Sequence, residues 1–439
     1  MSNTKTEPRV LQGTMELLPP DQILFNKMYD TIREVYESFG FLPLDTPVLE
    51  YSNVLLAKAG GETEKQIYRF TKGDTDLSMR FDLTVPLARY VALHKNDLVF
   101  PFKRYQMGKV YRGERPQKGR FREFYQCDID IIGAEALDLM YDAEMPAVIY
   151  NVFTKLNFGE FVIRINNRKV LNGFFSSLGL ADKIGDILRT IDKLEKIGTE
   201  KVMAELGEFG VDGAAADKIL SFISIKGTNR EVLDALCAVD CADETFKEGV
   251  AELEKVVSYA YMYGIPEKNI AIDLTIARGL DYYTGTVYET KLVDYPSLGS
   301  VCSGGRYDNL TGYYTDDSLP GIGISIGLTR LFSQLRSENI ISDDRNSLVD
   351  VLFIPMDKNH IDFVLESAAV VRNAGLKVDV YCLDKGMKPK MKFANRSGIP
   401  YVALVGDSEA EAGKVMLKDM TSGEQELLTP AEVAARLAK

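Results

Sequence analysis

The sequence predicts an α+β domain split by a helical insertion and followed by a small α/β domain. Three textures carry that prediction. Strand alternation runs through 1–167, helix follows helix over 168–265, and strand texture returns over 266–338. A polar linker, 339–347, then leads to a βαβαβ pattern in 348–439. A chain of 439 residues suggests two or three domains, and the resumption of strands after the helices favours one split domain. The 46% hydrophobic and 26% charged fractions fit an ordinary globular chain. No apolar run approaches the roughly 20 residues of a membrane span, and MSNTKTEPRVLQG lacks the apolar core of a secretory signal. A membrane partner is therefore not expected.

Element by element, 21–39 forms an amphipathic helix with Leu24, Met28, Ile32, Val35 and Tyr36 at helical spacing and Gly40 as its stop. FGFLPLDTPVLEYSNVL is extended and broken by Pro43 and Pro47, as edge strands are. A hairpin turns at Gly73-Asp74, a polar crossing covers Arg80 to Thr84, and a helix begins near Val85-Pro86. LVFPFKRYQMGKVYR and REFYQCDIDIIG form a long hairpin around Pro-Gln-Lys-Gly. The insertion reads as six helices, among them ADKIGDILRTIDKLEKIG as one unbroken run. IAIDLTIAR and YYTGTVYETKLV are strands, Ser303-Gly304-Gly305 is a glycine-rich turn, and GIGISIG is a strand feeding the helix LTRLFSQLRSE. The last domain alternates strands with helices over 359–373 and 388–396, then adds two short strands and a helix from Pro430 around a mainly parallel sheet.

The residue inventory narrows the chemistry. The scattered cysteines (Cys127, Cys237, Cys241, Cys302, Cys382) form no CxxC pair, which predicts free thiols in a reducing cytoplasm. Two histidines, His94 and His360, make histidine-dependent nucleophile activation or a His-rich metal site improbable. Arginines, carboxylates, tyrosines and amides remain, with a weakly held Mg²⁺ as the metal to expect; such groups suit phosphoryl or nucleotidyl transfer. The net charge of −12 argues against non-specific nucleic-acid binding but not against local basic patches. One such patch is the hairpin tip, where Arg112 to Arg122 holds four arginines and one lysine against Glu114. On its return strand Phe124, Gln126, Asp128 and Asp130 share a face, a poor hydrophobic core and a good floor for a zwitterionic or phosphorylated ligand.

Four other segments are open to two readings. Asp82 and Thr84 in RFDLT either meet a ligand ammonium or, with Thr84 as N-cap, start a helix. In RGLDYYTGTVYE, Tyr282 and Tyr283 face opposite ways, so one is core and one functional. The glycines of LPGIGISIGLTRL suggest a planar ligand such as adenine lying flat, with Arg330 reaching its phosphates. Lys385, Lys388, Lys390, Lys392 and Arg396 form either a solvated helix face or a nucleic-acid contact.

Together these segments resemble the histidyl-tRNA synthetase family of class II aminoacyl-tRNA synthetases over nearly the whole chain. FGFLPLDTPVLE, VYRGERPQKGRFREFYQCDIDIIG and GIGISIGLTRL are similar to the three class II motifs. RFDLT, RGLDYYTGTVYE and SGGRYDNL resemble elements particular to the histidine enzyme. The resemblance implies a catalytic domain on a mainly antiparallel sheet, a C-terminal anticodon-binding domain, a homodimer, and a histidine–tRNA ligase using ATP, Mg²⁺, L-histidine and tRNA(His). It implies Arg112 and Arg278 as catalytic residues at the α-phosphate. Asp82, Leu83, Thr84, Arg112, Gln126, Asp130, Arg278, Tyr282 and Tyr283 would bind histidine. Arg112, Glu114, Arg120, Phe124 and Arg330 would bind ATP, and Arg115 with Gln117 would meet the tRNA acceptor end. Asp82 and Asp130 are shorter acids than many bacterial relatives carry, which opens contact through water for Asp130. The rival is a synthetase-like, histidine-sensing regulatory subunit of ATP phosphoribosyltransferase. Such paralogues generally lack the C-terminal domain and parts of the catalytic set, whereas 348–439, Arg112, Arg278 and Arg330 are all here. A class II synthetase for another amino acid would leave RGLDYYTG without a purpose.

Overall fold

The computed structural model describes residues 5–57, 62–115, 119–277, 283–342, 346–381 and 383–438. They pack as two units, one built on 28–341 with the segment before Glu16, the other on 342–439 together with Glu16–Lys27. The strands of the first unit are Leu42–Pro43 (β1), Leu49–Tyr51 (β2), Arg69–Lys72 (β3), Thr75–Met79 (β4), Phe102–Tyr111 (β5), Glu123–Ile132 (β6), Phe161–Asn167 (β7), Ile270–Ile272 (β8), Thr286–Leu292 (β9), Ser300–Tyr307 (β10) and Gly321–Ile326 (β11). Eight of them form one sheet in the order β1-β5-β6-β11-β10-β9-β7-β8, and β2-β4-β3 form a small second sheet. The inner ladders of the large sheet are antiparallel, and only its edge pairs, β1/β5 and β7/β8, are parallel. The mainly antiparallel sheet is thus as expected, with Pro43, which has no N–H to donate, on an edge strand.

β5 and β6 pair without a break from Phe102↔Ile132 to Tyr111↔Glu123. Alternation puts Cys127, Ile129 and Ile131 on the face opposite Gln126, Asp128 and Asp130, and those three apolar side chains are fully buried. The helix Pro19–Ser38 supports the sheet there, with the Tyr36 hydroxyl donating to the Cys127 carbonyl at 2.9 Å. β6 lies between β5 and β11, so its polar face is held by a ladder on each side.

Two local expectations need correcting. Ser303-Gly304-Gly305 is no turn: it lies inside β10, paired with β9 on one side and β11 on the other. The helix Thr84–His94 is capped by Asp82, whose Oδ1 accepts the Val85 N–H at 3.1 Å, so the capping part offered to Thr84 belongs to Asp82.

Between β7 and β8 the chain is helical. The run ADKIGDILRTIDKLEKIG is not one helix; it breaks into a 3₁₀ turn at Ala181–Lys183 and helices Ile184–Ile191 and Leu194–Ile197. Asp212, Thr228 and Asp243 cap later helices with their side-chain oxygens. Arg168–Ser177 and Glu244–Met262 cross where both carry glycine. A Cβ on Gly173 would stand 2.4 Å from the Phe246 nitrogen, and one on Gly249 would stand 2.6 Å from the Val170 nitrogen. Backbone cannot yield as a flexible side chain does. Gly249→Ala is therefore expected to cost about 2 kcal/mol through overpacking, read as a lower urea midpoint; an unchanged midpoint would refute the close crossing.

The second unit holds Val351–Pro355 (β12), Val378–Val380 (β13), Tyr401–Val405 (β14), Val415–Asp419 (β15) and Gln425–Leu428 (β16) in the order β13-β12-β14-β15-β16. Its sheet is mixed: β13, β12 and β14 are parallel, while β15 and β16 return antiparallel, which corrects the mainly parallel expectation. Every residue of β12 is buried, because helices cover both faces of a parallel strand. Lys390 does not belong to a basic face. It is 3% exposed and its Nζ donates to the Pro355 carbonyl at 2.5 Å. Cys382 lies outside the described residues, and no described helix is long and apolar enough to cross a membrane.

Candidate active site

A cavity of about 450 Å³ opens over the polar face of β6. It gathers Asp82, Thr84, Arg112, Glu114, Arg120, Phe124, Gln126, Asp130, Tyr283 and Arg330 from segments spread over most of the first unit. Arg278, Tyr282 and Gln117 lie outside the described residues. Leu83 is not brought to the cavity: it is fully buried, and it contributes its carbonyl, which accepts from Arg104 Nη2 at 3.2 Å. Arg115 is exposed and does not line the cavity either.

The acidic end is the more buried. Asp82 spends Oδ1 on the helix cap, and its Oδ2 has no hydrogen-bond partner among the described residues. Asp130 accepts from the Tyr307 hydroxyl at 2.6 Å through Oδ1, and Arg104 Nη2 stands 2.5 Å from its Oδ2. That second contact is an ion pair by distance but not an aligned hydrogen bond. Gln126 Nε2 donates to Ser325 Oγ at 2.7 Å, leaving Gln126 Oε1 without a partner among the described residues. Asp128 is 2% exposed, and its Oδ1 has no hydrogen-bond partner among the described residues.

The glycines of β11 serve this end differently from the flat ligand expected over them. A Cβ on Gly323 would fall 2.1 Å from Asp130 Oδ1, and one on Gly321 would fall 2.3 Å from the Tyr307 ring. The space they leave is filled by this chain's own carboxylate and phenol.

The cationic end is built from the β5–β6 loop and the helix Leu328–Ser337. Arg112 Nε donates to the Phe81 carbonyl at 3.0 Å, and its guanidinium carbon sits 5.1 Å from the Phe124 ring centroid. Arg120 and Glu114 meet at 3.1 Å, so these two expected ligand contacts engage each other in this structure. Arg330 Nη2 donates to the Leu298 carbonyl at 3.1 Å, and Gln334, one turn later, shares the cavity wall. The Tyr125 N–H donates to Thr329 Oγ1 at 2.8 Å, tying the start of this helix to β6.

Burial is the leading cause that lifts Asp82 to about 6, Asp128 to about 7 and Asp130 to about 6. A carboxyl whose folded value is raised contributes stability below its unfolded value of 3.8 and loses it as pH rises through the folded one. For Asp128 the loss falls between roughly pH 4 and 7. The isosteric Asp128→Asn should therefore gain stability relative to the parent as pH rises, measured as paired melting temperatures near pH 5 and pH 8. A difference that shrinks with pH would contradict the sign.

Asp128, Ser325, Tyr307, Arg104 and Gln334 were not singled out as site residues from sequence. Alternation already placed Asp128 on the cavity face. Ser325 and Tyr307 lie inside GIGISIGLTRL and SGGRYDNL, segments singled out without a role for either residue, while Arg104 and Gln334 had no motif to mark them.

Comparison with known proteins places the chain. The family model described as Histidyl-tRNA synthetase matches residues 13–331, and that of an Anticodon binding domain matches 350–439. A histidine–tRNA ligase from Clostridium tetani is 56% identical over 433 residues, 98% of each chain. One from Xanthomonas campestris pv. campestris is 48% identical over 459 residues, 98% of this chain and 96% of the other. The crystal structure of histidyl-tRNA synthetase from Nostoc sp. PCC 7120 superposes with a TM-score of 0.91 at 43% identity, covering 99% of both chains. A structure described as an ATP phosphoribosyltransferase regulatory subunit/histidyl-tRNA synthetase from Bacillus halodurans C, 20% identical with a TM-score of 0.75 over 89% of this chain and 97% of the other, shares the fold. Matched along nearly its full length, with the acid-floored cavity inside the matched region, this chain belongs to the histidyl-tRNA synthetase family of class II aminoacyl-tRNA synthetases.

Proposed function

We propose that the cavity joins L-histidine to ATP and then to tRNA(His), making the chain a histidine–tRNA ligase. The observation that carries this is the joining of two ends in one cavity. Buried acids that suit an ammonium and a basic ring face arginines that suit phosphates, and Arg112 lies between them, near enough to Asp82 to lower its pKa. The anticodon-binding match over 350–439 and near full-length identity to histidine–tRNA ligases favour the enzyme over the regulatory-subunit alternative.

Asp82 Oδ2 and the Thr84 hydroxyl receive the α-ammonium, while Gln126 and Tyr283 face the ring together with the floor carboxylates. Arg112 holds the histidine carboxylate against the α-phosphate, Phe124 stacks adenine, and Glu114 contacts it. Arg120 and Arg330 take the outer phosphates, which requires the Arg120–Glu114 pair to open. The histidine carboxylate is ionised and needs no general base. Its oxygen attacks the α-phosphorus, the bond to the bridging oxygen breaks, and pyrophosphate leaves with the electron pair. A ribose hydroxyl at the tRNA 3′ end then attacks the acyl carbon and AMP departs. Arg278, Tyr282, Arg115 and Gln117 enter on family resemblance: Arg278 at the α-phosphate, Tyr282 at histidine, the other two at the acceptor end.

The cavity's carboxylates do not form a cage for Mg²⁺. Asp82, Asp128 and Asp130 are buried on the floor, and Glu114 is paired with Arg120. The ion is assigned only to the nucleotide's phosphates, and no step runs through it. The division of labour follows the chain: 1–167 and 266–338 for catalysis, 168–265 as insertion, 339–347 as linker, 348–439 for the anticodon. A homodimer in the cytoplasm completes the reading, supported by exposed Leu42, Leu49 and Tyr51 along β1 and β2. The test is histidine-dependent exchange of pyrophosphate into ATP by the purified protein. Binding of histidine and ATP without exchange would favour the regulatory reading.

A further inference from the structure

We propose that Asp357, His360 and Asp407 form a site for one divalent transition-metal ion of the Zn²⁺ class. Its residues belong to the second unit alone, and nothing in it depends on the ligase reading. Two histidines cannot build a His-rich cage, but one imidazole with two carboxylates is a donor set that such ions accept. Among the described residues this is the one group of three whose ligand atoms all lie within 4.8 Å of one another. His360 Nε2 stands 2.9 Å from Asp407 Oδ1 and 3.6 Å from Asp357 Oδ1. Ligand bonds of roughly 2.1 Å in a tetrahedron put donor atoms about 3.4 Å apart, and the two spacings bracket that value.

The imidazole separates this group from a chance meeting of surface acids. Its side chain is 11% exposed, and the Nε2 atom, which faces both carboxylates, is buried with no hydrogen-bond partner among the described residues. A ring nitrogen 2.9 Å from a carboxylate oxygen is ordinarily hydrogen-bonded to it. Here the alignment fails, so the in-plane direction of Nε2 passes beside Asp407 Oδ1, and Asp357 Oδ1 is beyond hydrogen-bond reach. A buried nitrogen beside two carboxylates and bonded to neither is costly; an ion shared by the three donors supplies the missing partner. Asp357 is held by its own turn, Oδ1 accepting the Asn359 N–H at 2.8 Å, and a carboxylate oxygen keeps a second lone pair for the ion. Lys358 is turned to Asp384 at 2.8 Å and Lys390 to the carbonyls of Pro355 and Met356, so both ammonium groups are committed elsewhere.

The fold puts these residues where an α/β sheet holds its ligands. β12 leads through the helix Ile361–Asn373 to β13 on one side of it, and β13 leads through the helix Met387–Arg396 to β14 on the other. The strand order therefore reverses between β12 and β14, and ligands of such sheets sit beyond the carboxyl ends of the strands at that switch point. Asp357 and His360 follow the end of β12 at Pro355, and Asp407 follows the end of β14 at Val405. Pro355 and Val405 are partners in the ladder, so the two loops leave the sheet side by side and a shared ion would tie them together. Three protein ligands leave one tetrahedral position for an exchangeable water. Mg²⁺ and Ca²⁺ want about six or more oxygens and are expected to bind far more weakly.

The test titrates the full-length chain, free of any polyhistidine tag and stripped with chelator, with Co²⁺ as a visible substitute for Zn²⁺. One Co²⁺ per chain is expected to bind, with the absorption of a nitrogen–oxygen site, no thiolate charge-transfer band, and a melting temperature that rises with metal concentration. Zn²⁺ should displace it, and Mg²⁺ in millimolar excess should not. Asp407→Asn changes a side chain that is 85% exposed, which the fold tolerates. That variant and His360→Asn should each weaken binding at least about tenfold, since losing a ligand costs no less than losing a ligand's support. His94→Asn removes the other histidine and should bind Co²⁺ as the parent does. Should His360→Asn fail to fold, Asp357→Asn takes its place beside Asp407→Asn. No saturable binding at millimolar Co²⁺ or Zn²⁺ would overturn the proposal, and His360 would then be only a neighbour of two acids. Binding unchanged in the two variants, lost in His94→Asn, or marked by a thiolate band would overturn it equally.

Discussion

Arg112→Ala is expected to slow histidyl-adenylate formation by at least about 10³-fold, on the scale of losing a preorganised donor to a developing oxyanion. The guanidinium is fixed before ligands arrive. Its Nε is spent on the Phe81 carbonyl, and its plane lies over Phe124, so the remaining N–H groups are aimed without a search through rotamers. It also lowers the pKa of Asp82, whose charge the α-ammonium needs. Single-turnover adenylate formation, measured beside histidine binding, separates the two contributions. Arg112→Lys keeps the charge and loses the planar fork, so it should recover no more than about a tenth of the parent rate. A loss under tenfold for Arg112→Ala would place the α-phosphate somewhere else.

The second large effect belongs to a residue no ligand need touch. Arg104 is fully buried and lowers the pKa of Asp82, Asp128 and Asp130 alike. Removing one partner of a buried ion pair costs about 3–5 kcal/mol, because the other charge stays behind. Arg104→Met should therefore destabilise the protein by about that much at neutral pH. The deficit should shrink toward pH 5, because the acids, rising further without Arg104, are then neutral. Urea midpoints near pH 5 and near pH 8 check both magnitude and sign. A cost below about 1 kcal/mol, or one independent of pH, would mean that the carboxylates do not depend on this guanidinium.

Much of the site was legible because it lies on one strand. Period-two alternation needs no tertiary information, and it put Phe124, Gln126, Asp128 and Asp130 on one face directly. The hold of Arg104 and Tyr307 on Asp130 was not legible, since they come from β5 and β10 and β6 carries no trace of them. Ser303-Gly304-Gly305 read as a turn because glycine is the common turn residue. Inside β10 the same glycines sit where a Cβ on Gly304 would meet the Gly323 carbonyl oxygen at 2.1 Å. Lys390 shows the converse limit. Its neighbours Lys388 and Lys392 are exposed, but helical rotation carries its own amine inward to two carbonyls. Local composition cannot show which side of a short helix is covered.

The strand order also has a consequence for the growing chain. β6 is complete at Ile132, but its second neighbour, β11, begins only at Gly321. At roughly 5–20 residues per second, that edge of β6 waits on the ribosome for on the order of ten seconds or more. An open strand edge is a template for pairing with the wrong chain, and inward-pointing charges are among the ways proteins blunt one. Asp128 and Asp130 stand on that waiting edge, charged and hydrated until β11 arrives. Before there is any histidine to recognise, they act as guards on an unfinished sheet.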